Sequence, residues 1–213
     1  KGLMANADVK VHPVAADGSV DLATVLGSAL TNASGHYTLR FTGSKDQPFV
    51  VRVSANANTT HHDEVSGTDQ PLPLNFSMRS LVVPDASGNV TTSASITPFS
   101  EMAVAAAAKA SGGVSAANAA QAVSTVKQLL GFDPTKVAAT SATTASSDDE
   151  KKLAVLLTAV SQMANDGDLG CATGEAGDKV KCVVEALGAA ASTGSIKLES
   201  GSGDSATNVS AVL

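Results

Sequence analysis

At Ser95-Ile96-Thr97-Pro98-Phe99-Ser100-Glu101-Met102-Ala103 the apolar residues change period. Upstream they mostly alternate, as on a strand with one buried face. Downstream they fall three and four apart, as on an amphipathic helix. Thr97 suits an N-cap, and Pro98 suits the first helical position, where a missing N–H forfeits no intrahelical bond. Glu101 adds negative charge to the first turn. A chain with this switch near its middle is expected to be α+β: a β part over residues 1–96, an alanine-rich helical part over 97–192, and a Ser/Gly-rich tail over 193–213.

In the first part, Ala7-Asp8-Val9-Lys10-Val11-His12 alternates and puts Ala7, Val9 and Val11 on one face. His12 and His36 fall on outward faces. Asp17-Gly18 signals a turn, and a second strand is expected over 24–30. After the loop Asn32-Ala33-Ser34-Gly35 the alternation resumes, with Tyr37, Leu39 and Phe41 inward. Lys45-Asp46-Gln47-Pro48 turns the chain into Phe49-Val50-Val51-Arg52-Val53-Ser54-Ala55. Further strands are expected over 75–83 and 90–96, hinged by 84–89. Short strands with turn signals at this spacing predict an antiparallel β-sandwich.

The second part reads as four helices, a small bundle. The first spans about 98–110, ended by Ser111-Gly112-Gly113. Ser115 caps the second, whose buried face is Ala119, Ala122, Val123, Val126, Leu129 and Leu130, with Gly131 at C′. Asp133-Pro134 suits a cap and first position of a short helical turn. Residues 138–147 look like a flexible connection. Ser147 with Glu150 forms a capping box for the third helix, whose stripe is Leu153, Leu156, Leu157, Val160 and Ala164. The fourth, near 178–191, buries Val180, Val183, Val184 and Leu187. In the tail, Ser195-Ile196-Lys197-Leu198-Glu199 is a possible strand, and the apolar run 209–213 suits docking on this chain or on a neighbour.

Aromatic residues make up 3% of the chain, so Ala, Val and Leu must build the core. A net charge of −6 with no basic cluster in the sequence argues against a nucleic-acid surface. No apolar run approaches the ~20 residues that span a bilayer. Lys1 in place of Met fits either a trimmed chain or a mature one whose export signal has been removed. Cys171 and Cys182 lie close together in a Ser/Thr/Gly/Asn-rich chain, which favours a disulfide and an oxidising compartment over two free thiols or half of a metal site.

The most ligand-rich stretch contains His61, His62, Asp63 and Glu64. These groups suit zinc and similar ions, yet on a strand neighbours point to opposite faces. His61 can converge with Asp63, or His62 with Glu64, but not all four. A solvated loop or edge strand with no metal is the expectation. Asn165-Asp166-Gly167-Asp168 lacks the Glu that closes an EF-hand loop and reads as a polar helix exit. No nucleophile elbow, P-loop or dinucleotide fingerprint is present, so no catalytic residue, enzyme activity or cofactor is expected. Asn32-Ala33-Ser34 and Asn58-Thr59-Thr60 have the form of glycan acceptors, at a frequency chance explains.

Gly2, Ala7-Asp8-Val9-Lys10-Val11, Leu30-Thr31-Asn32-Ala33-Ser34-Gly35-His36-Tyr37-Thr38-Leu39 and Val50-Val51-Arg52-Val53 form one ordered pattern. It resembles the transthyretin-like, or carboxypeptidase-regulatory-like, β-sandwich, whose text is a glycine, A-x-V-x-V, T-x-x-x-G-x-Y-x-L and a valine-rich strand. Continued through Thr97-Pro98-Phe99-Ser100-Glu101-Met102-Ala103, residues 116–123 and Leu129-Leu130-Gly131-Phe132-Asp133-Pro134, the order resembles exported bacterial surface proteins and lipoproteins. In those, such a sandwich precedes an alanine-rich helical region; the lipid-bearing cysteine of the lipoproteins is not found here. The resemblance implies an extracytoplasmic, secreted or cell-surface place and no catalytic residues. The expected function is structural or adhesive, with copies of the chain or other surface proteins as partners. A homo-oligomer or filament built by strand addition is one form of it. The alternative is a surface module binding a glycan, peptide or metal through residues 61–64.

Overall fold

The computed structural model describes residues 3–63, 65–141 and 143–193, and the backbone of two short strands beyond them. It is a mixed α+β structure in which every strand pairing is antiparallel. The strands are β1 (Met4–Ala5), β2 (Asp8–Pro13), β3 (Gly27–Leu30), β4 (Leu39–Gly43), β5 (Phe49–Ser54), β6 (Thr60–Asp63), β7 (Thr68–Pro71), β8 (Ser77–Val82) and β9 (Gly88–Thr92). Four helices follow: α1 (Pro98–Lys109), α2 (Ala116–Leu130), α3 (Asp148–Asp166) and α4 (Ala176–Ser192). Strands β10 (Glu199–Ser200) and β11 (Thr207–Asn208) pair near the end. The expected strand over 195–199 and the run 209–213 lie mostly or wholly outside the described residues.

Alternation explains the main sheet, ordered β3-β2-β5-β8. Ala7, Val9, Val11, Val51 and Val53 are buried, and Lys10 and Arg52 stand on the other face. A second sheet pairs β4 with β9, and Leu39 and Phe41 of β4 join the same buried cluster. Phe41 and Phe49 meet edge to face, with ring centroids 4.9 Å apart.

Several expectations need correction. The second strand is shorter than 24–30, because the Asp21 carboxylate accepts from the amides of Ala23 and Thr24 and holds this stretch as a loop. The loop folds over His12, which is 2% exposed rather than outward; its Nδ1 lies 2.9 Å from the Thr24 carbonyl. The last strand of the β part ends at Thr92, and Ser95 instead donates its N–H to the Thr135 carbonyl. Asp133-Pro134, by contrast, opens a single turn as expected: the Asp133 carboxylate accepts from both the amide and the hydroxyl of Thr135, and its carbonyl accepts from the amides of Lys136 and Val137.

The switch at residue 97 forms as its local chemistry requires. Thr97 is extended (φ −139°), its hydroxyl accepts from the Ser100 amide, and Pro98 opens α1. Ser100 completes the capping box by accepting from the Thr97 amide at 2.9 Å, and donates its hydroxyl to the Arg79 carbonyl of β8 at 2.8 Å. Glu101 does more than complement the helix dipole: it receives the Arg79 guanidinium, whose Nε lies 3.1 Å from each carboxylate oxygen. The cap thus joins the first helix to the last strand of the main sheet.

Phe99 and Met102 are buried, and one apolar cluster runs from the strands through all four helices. A second tie is made by backbone alone. The Val114 amide donates to the Gly18 carbonyl at 2.8 Å, and a Cβ on Gly18 would stand 2.0 Å from the Gly112 carbonyl oxygen. Glycine is required there by contact as well as by its φ of +81°. The stripes of α3 and α4 are buried as the periodicity predicts, and α2 ends on Gly131 in the left-handed region.

Candidate functional site

The histidine-rich stretch is held by local turn chemistry. The Asn58 amide donates to the Asn56 side chain, and the Asn56 amide donates to the Thr59 hydroxyl. Beyond this turn Thr60–Asp63 forms the middle strand of a sheet ordered β1-β6-β7. The expectation of a solvated loop or edge strand is therefore overturned, because Met4–Ala5 covers one side of it and Thr68–Pro71 the other.

Strand alternation then separates the candidates. His61 and Asp63 face inward at 1% and 4% exposure. The Asp63 carboxylate accepts from the Val65 amide at 3.2 Å and the Ser66 hydroxyl at 2.8 Å, so it shapes the turn into β7. His62 faces outward, and its Nδ1 lies 2.9 Å from Asp69 Oδ1 directly across the ladder. Glu64 lies outside the described residues. Among the described residues no group of three or more His, Cys, Asp or Glu side chains is placed to hold a metal ion. His36 and His62 do line one shallow groove of about 570 Å³, with Asp69 and Ser141.

Tyr37 donates its hydroxyl to the Ala94 carbonyl at 2.6 Å, and burial pushes its phenol pKa up. It is thus a permanent donor, tying the approach to β4 to the segment that leads into α1.

The strand edges are the other candidate. β8 and β9 follow each other in sequence but do not pair, since β8 bonds β5 and β9 bonds β4. The connection between them is braced from the β4–β5 turn: Asp46 N–H donates to the Pro84 carbonyl at 2.9 Å and Lys45 N–H to Ser87 Oγ at 2.8 Å. A notch of about 340 Å³ opens where the two strands splay, lined by Leu81, Val83, Thr91, Ser93 and Lys136 among others. Val83 is 45% exposed there. The edge at β7 is different: Thr68, Asp69 and Gln70 are polar and the strand ends on Pro71, features that discourage pairing.

Cys171 and Cys182 form a disulfide with a Cα–Cα distance of 5.6 Å. It fastens the loop after the 3₁₀ turn Asp168–Gly170 to α4, and a ring this short contributes roughly 3 kcal/mol by loop-closure arithmetic. The bond is compatible with an extracytoplasmic place. No helix among the described residues is long and apolar enough to cross a membrane.

Sequence reasoning located the histidines but missed the notch. Strands over 75–83 and 90–96 read as ordinary neighbours, and nothing local says that consecutive strands will join different sheets. Searches of protein-family models, curated proteins and solved structures find no match to this chain.

Proposed function

We propose that this chain is a non-enzymatic structural or adhesive protein of a bacterial cell surface, joined to copies of itself or to other surface proteins by strand addition. The observation that carries the reading is the notch between β8 and β9, where two consecutive strands part and leave Val83 exposed. An extended segment there gains main-chain hydrogen bonds along an edge and seats alternate side chains in the gap. The run 209–213, with Val209, Ala211 and Leu213 at alternate positions, has the composition of such a segment.

The transthyretin-like sandwich reading supports the same picture. The sheet β3-β2-β5-β8 and the pair β4-β9 share one apolar core, as two layers of a sandwich do. The disulfide fits export, and in 61–63 His61 is buried, Asp63 shapes a turn and His62 pairs with Asp69 across the ladder.

Sedimentation velocity over a concentration series tests the reading. The chain is expected to grow into larger species as concentration rises, and a chain lacking 209–213 to remain monomeric. A single monomeric species at every concentration would overturn it.

A further inference from the structure

The outward face of the main sheet carries a row of like charge. The register sets Lys10 opposite Arg52 and Arg52 opposite Arg79. Directly opposed like charges on neighbouring strands cost stability, so such a row needs anions to offset it. Among the described residues, only Arg79 is paired with one: Glu101 takes its guanidinium in a two-oxygen fork. Arg52 makes one side-chain hydrogen bond among the described residues, from Nη2 to the neutral Ser77 hydroxyl at 3.2 Å.

Arg52 and Arg79 open onto a groove of about 510 Å³ between this face and helices α1 and α4. Two acids line it, and both are already neutralised: Glu101 by Arg79, and Glu185 by Lys181 at 2.7 Å. That leaves Arg52 and Lys109 as lining cations without a carboxylate partner among the described residues, in a chain whose net charge is −6. Between Glu101, Lys109 and Glu185 the helical wall is made of small residues, Ala105 and Ala108 from α1 and Gly188 and Ala189 from α4. The two helices lie close at this wall: a Cβ on Gly188 would sit 3.5 Å from that of Ala105, an ordinary van der Waals contact.

We propose that this groove binds an organic carboxylate with an aliphatic body. The planar guanidinium of Arg52 presents paired donors that match a carboxylate, and Lys109 supplies a second positive charge on the α1 side. The alanine and glycine wall receives the methylene chain. Such binding is independent of assembly: the groove lies at α1 and α4, away from the notch at Val83.

Calorimetric titration of the full chain with adipate in low-salt buffer tests the assignment, with hexane-1,6-diol and sulfate as comparisons. Adipate is expected to bind saturably, one per chain, and the diol and sulfate at least about tenfold more weakly. Arg52→Gln is expected to weaken adipate about tenfold, the scale of one charge-assisted contact. Ala189→Leu, which fills the wall at an exposed position, weakens it as well. Circular dichroism of both variants checks that they remain folded. No adipate heat, or adipate binding no tighter than diol, would overturn the proposal. So would sulfate matching adipate with Ala189→Leu without effect, since the row would then be surface charge alone.

Discussion

Gly18 and Gly113 meet with their backbones in contact, and neither can carry a side chain there. Gly18→Ala puts a Cβ against the Gly112 carbonyl and also strains a left-handed φ, so a loss of about 2 kcal/mol or more is expected. Urea unfolding reads this directly, and an unchanged midpoint would show that the loop tie contributes nothing. Glu150 gives a pH prediction. Its carboxylate accepts from the Ser146 hydroxyl and from the amides of Ser147 and Ser146, which lowers its pKa from 4.5 to about 2. A depressed folded pKa stabilises the protein above about 4.5, and that contribution is lost as pH falls from 4.5 towards 2. Glu150→Gln should therefore flatten the acid-unfolding curve in this window and leave its shape above pH 5. At this scale the caps were legible, since Thr97, Ser115, Gly131 and Ser147 each find their partners within four residues. The burial of His12 and His61 was not, because the covering chain comes from elsewhere: the loop over 21–26 for one, strand pairing with Met4 for the other.

Among the elements, α1 does most to unite the molecule. Its first turn bonds the β8 backbone through Ser100 and holds Arg79 through Glu101, while Phe99 and Met102 enter the core. Phe99→Ala leaves a cavity where strands and helices share one cluster, at a cost of about 3 kcal/mol. A thermal melt checks it, and an unchanged Tm would place Phe99 outside the cooperative core. Helices were read well because a 3.6-residue period declares both type and buried face: Leu153, Leu156, Leu157 and Val160 are all buried as the spacing requires. Strands with a valine-rich face, β2 and β5, were equally plain. The polar strands β6 and β7 were not, since Thr60–Asp63 and Thr68–Pro71 carry no apolar alternation and take their form from the ladder they join.

For the whole molecule, the two proposals rest on two features: which strand edges are covered, and where charge is left unbalanced. β8 is engaged on one side by β5 and near its middle by the α1 cap, and β7 is polar and proline-ended. On the proposed reading, the parting of β8 from β9 is where an incoming strand docks. Neither it nor the row of Lys10, Arg52 and Arg79 was legible in the sequence, because consecutive strands join different sheets in the first case and register brings together residues far apart in the chain in the second. Negative-stain electron microscopy of the purified chain beside Val83→Lys tests the assembly account most directly, a lysine at an open edge being a strong obstacle to pairing. Filaments or ordered oligomers in the unmodified chain, absent from Val83→Lys with its Tm preserved, are the predicted result. Separate particles in both samples, or identical filaments in both, would contradict it.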